Sequence, residues 1–335
     1  MTRIKKLLIV LGGAVALLVL LLVAGFVATS GDYTIPATAA DDPSVSIVAL
    51  NGGVFHAETF GDPEDPVVIV VHGGPGADYR SLLDLRALSD AYYVVFYDQR
   101  GTGLSPRVED PTELTYESSI DDLDAFVGHF GQGRPVNLIG HSFGGAIVTT
   151  FAGRYPEKVD GLVLIEPGPM TQEMAAIGPN FTGTPVVTLV TGLFESFHIQ
   201  DPPDDKAAFD HVTGKIMIAA NPGYWCGETP PPSVEGWRFS YDAYQNIAAS
   251  VFDEDGNQII AIDGIDRFEE EVLFMVGSCN TVIGEAFQRK QMAYFQNARL
   301  VVIEGVGHEL VAEEPQESIS AVRAYLDRTA ESAGR

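Results

Sequence analysis

The sequence predicts an α/β fold: a mostly parallel, doubly wound sheet covered by helices on both faces and interrupted by an inserted, mainly helical cap. Three observations predict it. Short apolar, β-branched runs alternate with amphipathic stretches, the rhythm of strand–helix–strand units in a parallel sheet. One such run, Pro135 to Ile139, leads directly into Gly140-His141-Ser142-Phe143-Gly144 and then into a helical stretch, the pattern of a sharp strand–turn–helix. The rhythm also breaks between Pro167 and Asp266, a region rich in Gly, Pro and aromatics, and resumes at Glu271. The length of 335 residues suits one large domain with an insertion, or two small ones.

The elements follow in order. Arg3, Lys5 and Lys6 precede an uncharged apolar stretch from Leu7 to Ala28, long enough for a helix to span a ~30 Å hydrocarbon layer. The basic flank would stay cytoplasmic and the rest of the chain would be exported, periplasmic or extracellular. Residues 1–28 are therefore expected to be a transmembrane anchor; a signal sequence cleaved near Ala28-Thr29-Ser30, leaving a secreted protein, is the rival. Residues 29–43 read as a polar linker. Residues 44–169 form the first part of the core, with strands at Val45–Leu50, Val54–Thr59, Val67–Val71, Tyr92–Tyr97 and Gly161–Ile165. Helices are expected over Tyr79–Ser89, over Ser118–Phe130 with Ser118 or Ser119 as cap and Asp121 and Asp122 in the first turn, and over Ala146–Arg154. Residues 170–270 are the expected cap, helical near Ala207–Ala219 and Tyr241–Val251. Residues 271–335 complete the core through strand Glu271–Val276, helix Gly284–Gln296, strand Arg299–Ile303 and helix Gln316–Thr329. A cap in that position would sit over the carboxyl ends of the strands, where such sheets bind ligands.

Acidic residues number 46 against 20 basic, a net charge of −26. That balance argues against nucleic acid and anionic membrane surfaces as partners and fits a solvated acidic surface. The expected partners are a small peptide or ester substrate and, through the N-terminal helix, a membrane. Cys226 and Cys279 are the two cysteines; export would permit one disulfide between cap and core, and two unpaired buried thiols are the alternative.

Ser142 between Gly140 and Gly144 is the candidate nucleophile, lifted above the sheet by the turn. The Phe143 amide opens the following helix and is left without an intrahelical acceptor, so it is a candidate oxyanion donor. A serine nucleophile needs a histidine to take its proton and a carboxylate to orient that histidine. In this chain order the histidine comes last, and His308, in Gly305-Val306-Gly307-His308-Glu309 just after the last strand, is the candidate. His72-Gly73-Gly74-Pro75-Gly76 follows strand Val67–Val71, and Gly74 is the candidate second oxyanion amide, because Pro75 has no N–H. This chemistry calls for no cofactor and no metal.

His72-Gly-Gly-Pro-Gly76, Asp98-Gln-Arg-Gly-Thr-Gly-Leu-Ser105 and Gly140-His-Ser-Phe-Gly144 together resemble the proline iminopeptidase group of the α/β-hydrolases, over about Val45–Pro169 and Glu271–Leu326. The resemblance implies the α/β-hydrolase fold and release of an N-terminal residue, proline-type, from short peptides through an acyl-enzyme. It also implies that acids of the cap hold the substrate's free amine; Glu195, Glu228 and Glu235 are the candidates. Tyr224, Trp225, Trp237 and Phe239 could line a proline-sized pocket or pack as core. Asp98 and Arg100 are expected to form a structural ion pair.

The chain departs from that group at the acid. The aspartate expected after the strand that follows the cap is replaced in Gly277-Ser278-Cys279-Asn280, and an amide cannot offset the charge of an imidazolium. Glu166, directly after strand Gly161–Ile165, is the expected acid, with Asn280 as the alternative position; certain haloalkane dehalogenases carry their acid at a similar place. Three readings follow: a serine aminopeptidase, an esterase or lactonase with the same triad, and a non-catalytic binding protein on a hydrolase fold, for which Asn280 is the supporting feature.

Overall fold

Val67–Val71 (β3) is five apolar β-branched residues in succession, and each is buried, because the strand lies mid-sheet with both faces covered. The structure is a computed structural model that describes residues 3–31, 33–178, 186–219, 222–227, 230–231, 236–332 and 334. Ile47–Leu50 (β1), Gly53–Phe60 (β2), Tyr93–Tyr97 (β4), Val136–His141 (β5), Val159–Ile165 (β6), Val272–Gly277 (β7) and Ala298–Ile303 (β8) join β3 in one sheet of order β1-β2-β4-β3-β5-β6-β7-β8. The β1–β2 and β2–β4 pairings are antiparallel and the other pairings parallel. The expected α/β architecture is thus the observed one. Alternate side chains of β3 enter two cores: Val67, Ile69 and Val71 meet Phe126, Ile147 and Phe151 on one face, while Val68 and Val70 meet Leu82, Leu85 and Tyr325 on the other.

Tyr116–Gly131 (α2) and Phe143–Arg154 (α3) cover the first face, and Pro315–Ser332 (α10) helps cover the second. Helix α2 starts earlier than the sequence suggests. Thr115 is the cap, accepting from the Ser118 amide, and Ser118 reciprocates as the third helical residue. Asp122 is consequently not in the first turn but buried on the inner face, where it takes Arg100 in a two-pronged ion pair. Asp98 does not pair with Arg100; it accepts from His56 at 2.7 Å and from the Tyr79 and Leu104 amides. Arg80–Asp90 winds as a 3₁₀ helix rather than an α-helix: its apolar Leu82, Leu85 and Leu88 recur every third residue, which aligns them on one buried face at three residues per turn. The stretch expected as one helix from Gly284 is α-helical over Glu285–Gln291 (α8) and tightens to 3₁₀ over Met292–Tyr294. Between α8 and α10 lies the short Leu310–Glu313 helix (α9).

Between β6 and β7 the described chain adds no strand to the sheet. It forms Gln172–Ile177 (α4), Val186–Ser196 (α5), Ala207–Ala219 (α6) and Tyr241–Ser250 (α7). Helix α7 is capped by Ser240, whose amide also donates to the Gly76 carbonyl at 2.8 Å, fastening the cap to the glycine-rich loop after β3. Arg3–Ala28 (α1) holds the apolar run Leu7–Ala28, none of it buried. At 1.5 Å per residue those 22 residues reach about 33 Å, long enough to cross a membrane.

Candidate active site

Five neighbouring strands, β3, β5, β6, β7 and β8, each deliver one part of a single cleft. Because β3 pairs with β5, the loop His72–Gly76 lies beside the turn at Ser142; because β5 pairs with β6 in the register His141↔Ile165, Ser142 and Glu166 leave the sheet side by side. β7 carries Asn280 and β8 carries His308 to the same edge. Ser142 stands at φ 52°, a left-handed conformation that a serine adopts only when its surroundings impose it. Its amide donates to Ile165 O and its carbonyl accepts from the Gly145 and Gly168 amides. The turn closes because Gly144 has no side chain: a Cβ there would come 2.3 Å from Val71 O.

The Ser142 side chain is half-buried, and among the described residues its hydroxyl makes no hydrogen bond. The Phe143 amide, first in α3, and the Gly74 amide likewise have no acceptor among the described residues.

Glu166 is fully buried and sits at φ 42°. Its Oε2 accepts from His308 Nδ1 at 2.6 Å and from Asn280 Nδ2 at 2.6 Å; its Oε1 accepts from the Gly277 amide at 2.8 Å. Asn280 is locked in that role, because its own Oδ1 accepts from the Val282 and Ile283 amides, which leaves only the NH₂ to face Glu166. Burial pushes the Glu166 carboxyl upward, opposed by these donors. For His308, burial alone would lower the imidazole, but the hydrogen bond and charge of Glu166 outweigh it and the net direction is up.

His308 is held from every side. Its amide donates to Tyr224 O at 2.8 Å, its carbonyl accepts from His141 Nε2 at 3.1 Å, and the Tyr224 ring stacks on it at 4.3 Å. His141, next to Ser142, brings its ring within 4.6 Å of the His308 ring. Burial lowers the His141 pKa to about 4, so it stays neutral and donates to that carbonyl. The Cys226–Cys279 disulfide is formed and ties the Tyr224 loop to the loop of Asn280, as does Thr281 N to Gly223 O at 2.8 Å.

The remaining predicted residues divide. Glu195 is paired with Lys215 and lies 3.5 Å from His211. Glu228 and Glu235 lie outside the described residues. Of the cap aromatics, Tyr224 faces His308, while Trp237 packs against Tyr79 and His56, and Phe239 lies over Gly214. His72 is buried and structural: Nδ1 donates to Gly73 O and Nε2 accepts from the Gln99 amide. The sequence does not single out His141 or Glu309, and it offers Tyr224 only as a pocket-lining or core aromatic. Position x in Gly-x-Ser was the available signal for His141; stacking by Tyr224 had none. Glu309 Oε2 is buried without a hydrogen-bond partner, 3.8 Å from His141 Nε2. The ligating atoms of His141, His308 and Glu309 lie within 4.8 Å of one another, but His141 Nε2 and His308 Nδ1 are already engaged in the bonds just described.

Comparison with known proteins gives a consistent family. Residues 68–321 match the model of the alpha/beta hydrolase family. The chain is 33% identical over 306 residues, 85% of its length and 100% of the relative's, to a proline iminopeptidase, PfmaB, of Pestalotiopsis fici. It is 25% identical to the esterase YbfF of Escherichia coli, covering 78% of this chain and 92% of that one. Among solved structures, a membrane phospholipase A superposes with a TM-score of 0.56 at 21% identity, over 97% of this chain and 98% of the other, a likeness of fold.

Proposed function

Since the chain belongs to the alpha/beta hydrolase family, we propose that it is a serine hydrolase with Ser142 as nucleophile, His308 as general base and acid, and Glu166 as the orienting carboxylate, acting as an aminopeptidase on short peptides. The observation that carries the triad is the closed Glu166–His308 bond at 2.6 Å beneath the strained Ser142 turn. Ser142 Oγ attacks the carbonyl carbon as its proton passes to His308 Nε2. The amides of Phe143 and Gly74 hold the oxyanion. His308 then gives the proton to the leaving amine, and a water repeats the sequence to free the acyl-enzyme. Glu166 offsets the imidazolium charge, so Asn280 is a support to the acid rather than its replacement. On this reading Asn280 no longer favours a non-catalytic protein.

The free-amine preference is supported by the proline iminopeptidase relative, which this chain matches along its whole length. One observation favours the esterase or lactonase reading instead: Glu195 is taken by Lys215, and a substrate amine would have to displace it. In the proposal α1 is an uncleaved anchor with the hydrolase domain exported; a cleaved signal sequence is the alternative.

The deciding experiment compares proline p-nitroanilide, its N-acetyl form and p-nitrophenyl esters, with fluorophosphonate labelling alongside. Labelling lost in Ser142→Ala, and turnover abolished by N-acetylation, is the expected result. Better turnover of blocked peptides or simple esters hands the assignment to the esterase reading; no labelling at all sinks both.

A further inference from the structure

The cap carries an apolar surface that nothing in the hydrolase chemistry uses. In α5 the side chains of Val186, Leu189, Val190 and Leu193, continued by Phe197 just past the helix end, are all exposed. Their spacing of three, four, seven and eleven residues draws one stripe along the helix. The opposite face is occupied: Gly192 is buried against Val212 and Lys215 of α6. A contiguous exposed apolar stripe of this kind marks an interaction surface.

Its neighbour indicates the occupant. The end of α5 is stitched to the last turns of α1. Gly25 lies against the Phe194 ring, 2.7 Å from where a Cβ would stand; His198 Nε2 donates to Phe26 O at 2.8 Å; and the Phe26 and His198 rings are 4.1 Å apart. Beyond the helix, Tyr33 bridges to Ile199. Gly25 and Phe26 lie three and two residues from the end of the apolar run, about 3–5 Å inside it at 1.5 Å per residue. That places the contact at the shallow edge of the zone in which an interfacial helix buries its apolar face, ~5–10 Å into the headgroup–acyl boundary. His198, held on Phe26, sits at that level, as amphipathic rings do at membrane interfaces.

We infer that the α5 stripe rests in the outer interface of the same bilayer that α1 crosses, so that this side of the cap is seated on lipid. This inference rests on the anchor reading of α1. The contact is made by apolar area, not charge: a chain of net charge −26 gains nothing from anionic headgroups, so zwitterionic lipid suffices and salt has little effect.

The test uses the full chain in phosphatidylcholine proteoliposomes. Phe197→Trp and, one turn away, Leu193→Trp each place a reporter on the stripe; Ile47→Trp, exposed on the far sheet edge, is the control. Replacing the lipid with bromine-labelled phosphatidylcholine should quench the added emission of either stripe reporter about twofold and leave the control unchanged. An alkaline carbonate wash separates the two claims. Protein retained in the pellet with both stripe reporters unquenched overturns the lipid seat alone; a blue-shifted but unquenched reporter assigns the stripe to a second copy of the chain, and also overturns it. Protein released by the wash overturns the anchor and the seat together.

Discussion

In the proposed triad, Glu166 and Asn280 would divide between them the part that family resemblance gives to one aspartate. The carboxylate comes from the end of β6, and the amide holds it from the usual position after β7. Two substitutions separate the roles. Glu166→Gln keeps the shape and removes the charge, and should lower kcat by ~10²–10⁴. It should also move the acid limb of kcat/KM. Glu166 raises the His308 pKa above its ordinary ~6.5 by favouring the imidazolium, and only neutral imidazole can accept the Ser142 proton. Removing the carboxylate lowers that pKa, so the limb shifts to lower pH while the plateau falls. Asn280→Asp, which restores the residue expected by family resemblance, should be harmful: its carboxylate would face Glu166 Oε2 where an amide now donates at 2.6 Å, and two carboxylates there must share a proton. Steady-state pH profiles check both; a gain of activity in Asn280→Asp, or an unmoved limb in Glu166→Gln, returns the role to position 280.

At the scale of elements, what was legible depended on whether order is local. The strands of the sheet announce themselves by continuous apolar runs such as Val67–Val71, and the turn at Ser142 by its glycines. Helix α5 was not legible: Val-Val-Thr-Leu-Val-Thr is rich in β-branched residues, which favour strands, yet the stretch is helical and packs on α6. Nor could spacing give the partners of Asp98 and Arg100, because both are fixed by elements far away in sequence, His56 in β2 and Asp122 in α2. The Tyr224 loop is a similar case, reaching His308 across the Cys226–Cys279 bond. That bond spans 53 residues, and chain-entropy arguments put its contribution at ~4 kcal/mol. Reduction should therefore lower the melting temperature. It should also raise KM or lower kcat, because the stacking of Tyr224 on His308 loosens; a reduced protein with unchanged kinetics would show that the cap loop stays seated on its hydrogen bonds alone.

For the molecule as a whole, the polar linker after α1 is drawn along the cap and then onto the core: Tyr33 meets Ile199, Pro36 O accepts from Arg238, and the Ala39 amide donates to Leu104 O. On the anchor reading, protease added to spheroplasts should release the hydrolase domain in active form, and a domain that stays protected inside the cell would refute export. The separation of the triad along the chain has a further meaning in time. Ser142 and Glu166 belong to one uninterrupted strand–helix–strand unit, but His308 is 142 residues beyond Glu166 and arrives only after the whole cap. A growing polypeptide would thus carry a serine without its base through most of synthesis and export. On the proposed triad and the anchor reading together, hydrolytic power would switch on late and all at once, when the last strand docks, after the chain has left the compartment in which its own precursors and neighbours are made.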